Sequence, residues 1–145
     1  MHYEVHAYDV RNGLPKWRVS QNQREKTGGS HGEQDHHPVL VGQTVYVEPY
    51  AYDLQSGARR TDWLLRRGGH GCGTMSASAK SFFFRADNPT MCDLASGMKT
   101  KVTRVSRPGC WINMIPAGGL LLIPEASSGC VCDFPIQTSM GFAPE

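Results

Sequence analysis

Short apolar runs separated by turn residues make up the whole chain. Hydrophobic residues alternate with polar ones or cluster in runs of three to five, bounded by Gly, Pro, Asn and Ser. No window keeps the i, i+3, i+4, i+7 spacing of an amphipathic helix. The longest helical candidate, 58–67, is basic and holds only Trp63, Leu64 and Leu65 as apolar anchors. The pattern therefore predicts an all-β chain of short strands.

The predicted strands recur with a period of about 40 residues. The aspartates that mark the units are Asp9, Asp53, Asp93 and Asp133, separated by 44, 40 and 40 residues. In the first three units a glycine follows four positions later. The carboxylate can accept hydrogen bonds from backbone N–H groups of a turn, and glycine supplies the positive φ that ends it. Each unit therefore reads strand, strand, Asp-turn-Gly, strand.

Short strands repeating at this interval predict a β-propeller, in which small sheets are arranged around an axis. Within 1–145 we expect the C-terminal part of a propeller, with a blade end at 1–20 and blades at about 39–67, 76–105 and 112–144. Three to four blades are fewer than the ~4–8 that close a propeller. We therefore expect open sheet edges that pair with further blades or with a second copy of the chain. Because Met1 falls inside a repeat, we expect the chain to be a piece of a longer protein.

Large aromatic residues recur after the turns. Trp17, Trp63 and Trp111 stand at similar ends of the units. One indole can fill the wedge between two neighbouring blades. We expect all three to pack in this way.

Charge and hydropathy exclude several classes of partner. The 145 residues carry a formal net charge of only +2, which gives no basis for binding nucleic acid. No apolar run approaches the ~20 residues needed to cross a bilayer, and the first residues lack the features of a signal peptide. If the parent protein is exported, we expect a periplasmic or cell-surface location, with the signal peptide outside this chain.

Two segments carry a family resemblance. Segment 7–17, AYDVRNGLPKW, and segment 51–57, AYDLQSG, followed by Trp63, resemble the repeat of the pyrroloquinoline-quinone enzymes, Ala-x-Asp-x-x-Thr-Gly-x-x-x-Trp. Asn12 and Ser56 take the place of its Thr, and the third unit keeps only the Asp and Gly. The resemblance implies a propeller fold and does not fix an activity.

The C-terminal half is similar to the closing segment of large bacterial proteins with such propellers, notably those of planctomycetes. The segments that carry this similarity are 71–74, 107–113, 115–119 and 129–132. The quinone dehydrogenases of the family have a pair of adjacent cysteines, a calcium or lanthanide site and a catalytic aspartate. This chain has no Cys-Cys pair, and none of its acidic residues matches that aspartate. The resemblance therefore argues against bound pyrroloquinoline quinone here.

A loop before the second unit is rich in metal-ligand residue types. It contains His31, Glu33, Asp35, His36 and His37. Imidazole and carboxylate groups suit zinc, copper or non-haem iron. No spacing in the loop is a recognised ligand signature. The pattern favours a solvated loop, with a divalent metal site as the alternative.

Four of the five cysteines form a candidate disulfide or thiol cluster. Cys130 and Cys132 would share one face of a strand, where both thiols can meet one ion or a third cysteine such as Cys72 or Cys110. Structural thiols or ordinary disulfides are favoured over a metal centre, because structural zinc sites use Cys-x₂₋₄-Cys pairs. No nucleophile elbow supports catalytic thiol chemistry.

Arginines near an aromatic residue are candidate anion contacts. Arg59 and Arg66 flank Trp63, and Arg107 opens the segment 107–111. Guanidinium groups can hold a phosphate or a carboxylate. Solvated charges that protect blade edges are the favoured interpretation.

Together these features predict a propeller scaffold or binding module that presents inter-blade loops to a ligand or partner and is not catalytic alone. Loop 31–37 with segments 71–74 and 107–111 would line the binding mouth. The alternative is a fragment of a quinone- or metal-dependent oxidoreductase, completed by missing blades or by oligomerisation.

Overall fold

The computed structural model describes residues 2–22, 37–125, 129–130 and 136–144. These ranges contain strands and no helix. The strands are β1 (His2–Tyr8), β2 (Pro15–Asn22), β3 (Val39–Val41), β4 (Thr44–Val47), β5 (Tyr50–Asp53), β6 (Ser76–Ala77), β7 (Ser81–Ala86), β8 (Asn88–Asp93), β9 (Lys99–Lys101), β10 (Ile115–Ala117), β11 (Leu120–Ile123) and β12 (Met140–Phe142).

Every sheet is built from strands that follow one another in the chain. Sheet 1 is β1–β2, sheet 2 is β3–β4–β5, sheet 3 is β6–β7–β8–β9 and sheet 4 is β10–β11–β12. All neighbouring strands are antiparallel. This serial arrangement of small sheets is an all-β partial β-propeller. Within the described ranges, no helix of a length and apolarity that would span a membrane is present.

The predicted Asp turns are confirmed and are nearly identical in the second and third units. Asp53 Oδ1 accepts from the Ser56 backbone N at 2.8 Å and from its hydroxyl at 2.7 Å. Asp93 Oδ1 accepts from Ser96 at the same two distances. The glycines that follow have φ of +71° and +70°, a region that only glycine enters without strain.

Sheet 3 is buried on both faces. Successive residues of a strand point to opposite sides of the sheet, so neighbouring phenylalanines of β7 enter different cores. Phe82 and Phe84 pack with Tyr46 in a core shared with sheet 2. Phe83 packs with Leu121 in a core shared with sheet 4. The run of three phenylalanines therefore joins three consecutive sheets.

Indole side chains close the first two boundaries between sheets. Trp17 of sheet 1 donates from Nε1 to the Leu54 carbonyl at 2.9 Å. Trp63 packs edge-to-face on Tyr46 and Phe82, with ring centroids 5.1 and 5.8 Å apart. The packing role predicted for these two residues is confirmed. The same prediction for Trp111 is wrong, because 56% of that residue is exposed to solvent.

The last sheet differs from the repeat in its third strand. The repeat would place that strand just before Asp133, which lies outside the described residues. Cys130 is not in a strand. The neighbour of β11 is instead β12, which pairs Leu121 with Phe142. The repeat pattern of the sequence did not predict the pairing of β11 with β12.

Candidate functional site

An open apolar groove lies between sheets 3 and 4. Its volume is about 810 Å³. Phe83 and Met91 line it from sheet 3, and Leu121 and Phe142 line it from sheet 4. Residues 116–120 also belong to the lining. The groove can accept bulky apolar groups that would otherwise contact water.

The groove coincides with the place where the third unit departs from the repeat. In sheet 1, Trp17 pairs with Ala7, the second residue before Asp9. In sheet 3, Thr100 pairs with the equivalent residue, Met91. A threonine thus replaces the indole, and the groove lining contains no tryptophan. The missing aromatic volume explains why this boundary is open while the two before it are closed.

Two end strands border the groove. Among the strands that the structure describes, β9 is the last of sheet 3 and β12 is the last of sheet 4. Thr100 and Lys101 of β9 and Phe142 of β12 all belong to the lining. An end strand presents backbone N–H and C=O groups on its outer side. The groove therefore has an apolar floor and, among the described strands, two end strands at its borders.

A second, smaller cavity of about 180 Å³ lies between sheet 3 and the loop 67–69, which follows sheet 2 in the chain. Its lining includes Arg67, Gly68, Gly69, Ala86, Asp87, Thr90, Lys99 and Lys101. The Lys99 ammonium donates to the backbone carbonyl of Arg66, and the Lys101 ammonium donates to that of Ala86. These contacts hold both cations at the cavity wall. An ammonium has three donors, so each can also meet a ligand.

A buried ion pair forms one wall of this cavity. Arg67 Nε donates to Glu48 Oε2 at 2.6 Å, and the two side chains are 0% and 2% exposed. Arg67 Nη1 also donates to the Gly73 carbonyl at 2.9 Å. The charge of Arg67 is therefore balanced inside the protein. Asp87 is the one acidic residue in the described lining, and its Oδ1 accepts from the His70 backbone N at 2.7 Å.

The loops after sheets 2 and 3 meet beside this ion pair. Asn113 Nδ2 donates to the Cys72 carbonyl at 2.6 Å. A Cβ at Gly73 would lie 2.9 Å from Asn113 Nδ2 and 3.0 Å from the Cys110 carbonyl oxygen. Of the segments that the sequence analysis placed at one binding mouth, 71–74 and 107–111 approach each other at Gly73 and Cys110, and their role in binding stays a prediction. Close backbone approach explains the glycine at 73.

The predicted metal loop falls almost entirely outside the described residues. His31, Glu33, Asp35 and His36 lie there, and His37 is exposed to solvent. Within the part of the chain that the structure describes, no three His, Cys, Asp or Glu side chains are grouped as metal ligands. The metal site stays a prediction.

The thiol cluster also stays a prediction, because Cys132 lies outside the described residues. Cys72 is buried, with Sγ 3.6 Å from His70 Nε2. Cys110 Sγ lies 3.3 Å from Arg107 Nη1. Cys130 is partly exposed.

The three predicted anion contacts have different surroundings. The Arg59 guanidinium lies 3.6 Å from the centroid of the Tyr50 ring, in a cation–π contact. Arg66 is exposed. Arg107 is buried, donates from Nη1 to the Pro108 carbonyl at 3.3 Å and borders a cavity of about 10 Å³, which is room for a single water. None of the three lines the 180 Å³ cavity, and their role in anion binding stays a prediction.

Sequence reasoning missed the two lysines of the cavity and the groove itself. The available signal was the Lys-x-Lys pattern of 99–101, which puts both ammonium groups on one strand face. It occurs where the first unit carries its tryptophan.

Comparison with known proteins gives a similarity of fold alone. No family model matches the chain, and no curated protein matches it. Among solved structures, the crystal structure of BamB from Moraxella catarrhalis is similar, with a TM-score of 0.49 and 18% sequence identity. The similarity covers 82% of this chain and 36% of that protein. The chain thus spans little more than a third of its length.

Proposed function

We propose that this chain is part of a pyrroloquinoline-quinone-type repeat propeller and acts as a binding module, with no catalysis of its own. The groove between sheets 3 and 4 would hold an extended peptide segment of a partner protein. The observation that carries the proposal is the open apolar groove at the one boundary where the repeat lacks its indole.

The chemistry of the groove favours an extended peptide. β9 and β12 are end strands at its borders, so a peptide strand can hydrogen-bond to an edge through its backbone. Alternate side chains of that peptide would then face the apolar floor. This is recognition by β-strand addition, in which backbone hydrogen bonds give affinity and side-chain pockets give specificity.

The size of the groove agrees with such an occupant. Sites that bury most of a small ligand have volumes of about 300 to 1,000 Å³, and the groove has about 810 Å³. Phe83, Met91, Leu121 and Phe142 offer adaptable aromatic, thioether and aliphatic surfaces. Two or three large apolar side chains can be buried there.

The far end of the molecule would serve assembly. Sheet 1 has two strands in the described residues, and further blades of the parent protein would complete it. Export of that parent protein would place the module in the periplasm or at the cell surface.

The test uses peptides of about ten residues that alternate apolar and polar positions. Their binding is measured by fluorescence anisotropy against the unaltered chain, Thr100→Trp and Val105→Trp. The first variant puts an indole into the groove. The second places the same side chain at a residue that is already 65% exposed and outside the groove lining.

We expect Thr100→Trp to weaken binding at least tenfold and Val105→Trp to leave it unchanged. A peptide that is N-methylated on alternate residues should also lose binding, because it cannot pair with a strand edge. Equal affinities for the two variants would contradict the proposal. A concentration-dependent dimer that Thr100→Trp abolishes would assign the groove to a second copy of the chain instead.

A further inference from the structure

We propose that the 180 Å³ cavity between sheet 3 and the loop 67–69 binds a phosphate group, either inorganic phosphate or a terminal phosphomonoester, through the ammonium groups of Lys99 and Lys101. This site shares Lys101 with the lining of the peptide groove and otherwise consists of different residues. The inference goes beyond the proposed binding function.

The first argument is the placement of the two lysines. They are alternate residues of β9, so their side chains leave the same face of the strand. Both line the cavity, and both ammonium groups are held by backbone carbonyls, of Arg66 and Ala86. A lysine fixed in this way loses less side-chain entropy on binding a ligand than a lysine that points freely into water.

The second argument is the net charge of the residues that line the cavity. The charge of Arg67 is cancelled by Glu48 at 2.6 Å. Lys99 and Lys101 then face one carboxylate, that of Asp87. Asp87 Oδ1 already accepts the His70 backbone N–H. The cavity therefore carries an excess of one positive charge in the described residues, which favours an anion.

The third argument is the fit of a phosphate. A phosphate has several strong acceptor oxygens and up to two negative charges near neutral pH, so each lysine can meet its own oxygen. Gly68 and Gly69 present only backbone to the cavity, which lets a ligand approach closely. The volume of about 180 Å³ holds one phosphate group with a short substituent.

The experiment is isothermal titration calorimetry at constant ionic strength and neutral pH. The probes are inorganic phosphate, phosphoserine and, as a carboxylate control, acetate. The variants are Lys99→Gln, Lys101→Gln and Lys99→Arg. Lys80→Gln is the matched control, because Lys80 is exposed and outside the cavity lining.

We expect saturable binding of phosphate, weakened about tenfold by each Gln variant, since a hydrogen bond to a charged group is lost. Lys99→Arg keeps the charge and should stay within about threefold of the unaltered chain. Lys80→Gln should bind as the unaltered chain does. Binding of phosphoserine as well as phosphate would show that the cavity takes a terminal phosphomonoester, whereas binding of phosphate alone would assign it to the free ion.

Three results would overturn the proposal: no saturable binding, acetate bound as tightly as phosphate, or equal affinities of Lys99→Gln and Lys80→Gln. Circular dichroism of each variant checks that it is folded, and a loss of binding in a folded Lys99→Arg protein would also count against the charge argument. Lys99 does not line the peptide groove. Peptide binding by Lys99→Gln therefore tests the two sites independently.

Discussion

At the scale of single residues, the same glycine position of the Asp turn serves two different needs. Gly57 and Gly97 both have positive φ, +71° and +70°. A Cβ at Gly57 would lie 2.7 Å from Trp17 Cδ2, whereas a Cβ at Gly97 would meet nothing within 4 Å. Gly97 is needed for backbone conformation alone, and Gly57 also provides the surface on which the indole lies.

This difference makes a matched pair of substitutions. We expect Gly97→Ala to lower the free energy of unfolding by about 1 kcal/mol, the cost of a left-handed alanine. Gly57→Ala should cost about 2 kcal/mol more, because Trp17 must also move from its packed position. Urea unfolding followed by tryptophan fluorescence measures both. Equal losses would show that Trp17 does not constrain this turn.

The turn aspartates make the free energy of unfolding depend on pH. Hydrogen bonds from the Ser56 side chain and backbone hold the pKa of Asp53 below its ordinary value, and Ser96 does the same for the pKa of Asp93. A carboxylate with a lowered pKa in the folded state stabilises the fold fully above its ordinary pKa of 3.8. That stabilisation is lost as pH falls through the folded-state value.

We therefore expect unfolding midpoints in urea to decrease between pH 6 and pH 3. The decrease should be smaller in Asp53→Asn and in Asp93→Asn, which have no carboxylate at the turn to protonate. Asp62→Asn is a suitable control for a carboxylate outside the turns, since its pKa is lowered by Arg60 and not by a turn. The idea fails if the turn variants keep the full pH dependence of the unaltered chain.

At the scale of the elements, corresponding sequence positions of the second and third units carry opposite charges. Thr44 pairs with Asp53, and Ser81 pairs with Asp93. Counting four residues on from Thr44 and Ser81 gives Glu48, directly after β4, and Arg85 of β7. Both are buried, at 4% and 1% exposure. Glu48 is held by Arg67, so the loop after sheet 2 is fastened to the end of β4 by a charged contact.

Removing one member of the buried pair leaves the other charge without its partner. We expect Glu48→Gln to lower the free energy of unfolding by about 3 to 5 kcal/mol, as is typical of a broken buried pair. The double variant Glu48→Met with Arg67→Met should lose less than the single variant, because no charge is left buried. Thermal unfolding of the three proteins measures the order. A double variant less stable than Glu48→Gln would contradict this account.

At the scale of the whole molecule, consecutive sheets are stabilised by the hydrophobic cores between them. Each boundary has its own core, and sheet 3 contributes to two of them. Sheet 1 packs through one core with sheet 2. The order of the sheets therefore predicts which amides open last.

We expect the amides of β7 to exchange most slowly with deuterated water and those of β1 most quickly among the strands. β7 lies between two neighbours in its sheet and contains Phe82 and Phe84, both 0% exposed. β1 has one hydrogen-bonded neighbour in the described residues, and its burial alternates. Exchange followed by NMR or mass spectrometry tests this. Similar protection of both strands would indicate a single cooperative unit.

Local sequence patterns predicted much of the architecture. The Asp-to-Gly spacing predicted the turns, and alternation predicted the all-β class. The roles of Trp17 and Trp63 also followed from their recurrence. The packing role predicted for Trp111 was wrong, because recurrence along the chain does not show whether a neighbouring sheet lies close enough to contact the indole. The pairing of β12 with β11 joins residues about twenty positions apart, and nothing local in 140–142 indicates that register.

The sequence alone determined that this protein is a succession of small antiparallel sheets with Asp turns, since strand alternation and turn chemistry depend on residues that are close along the chain. The tertiary structure decided where the sheets leave space between them. Whether Thr100 leaves a groove, and whether Lys99 reaches the loop that carries Arg67, depends on distances between segments that are far apart in the chain. Those distances come from the packing of several side chains at once, which no single segment encodes.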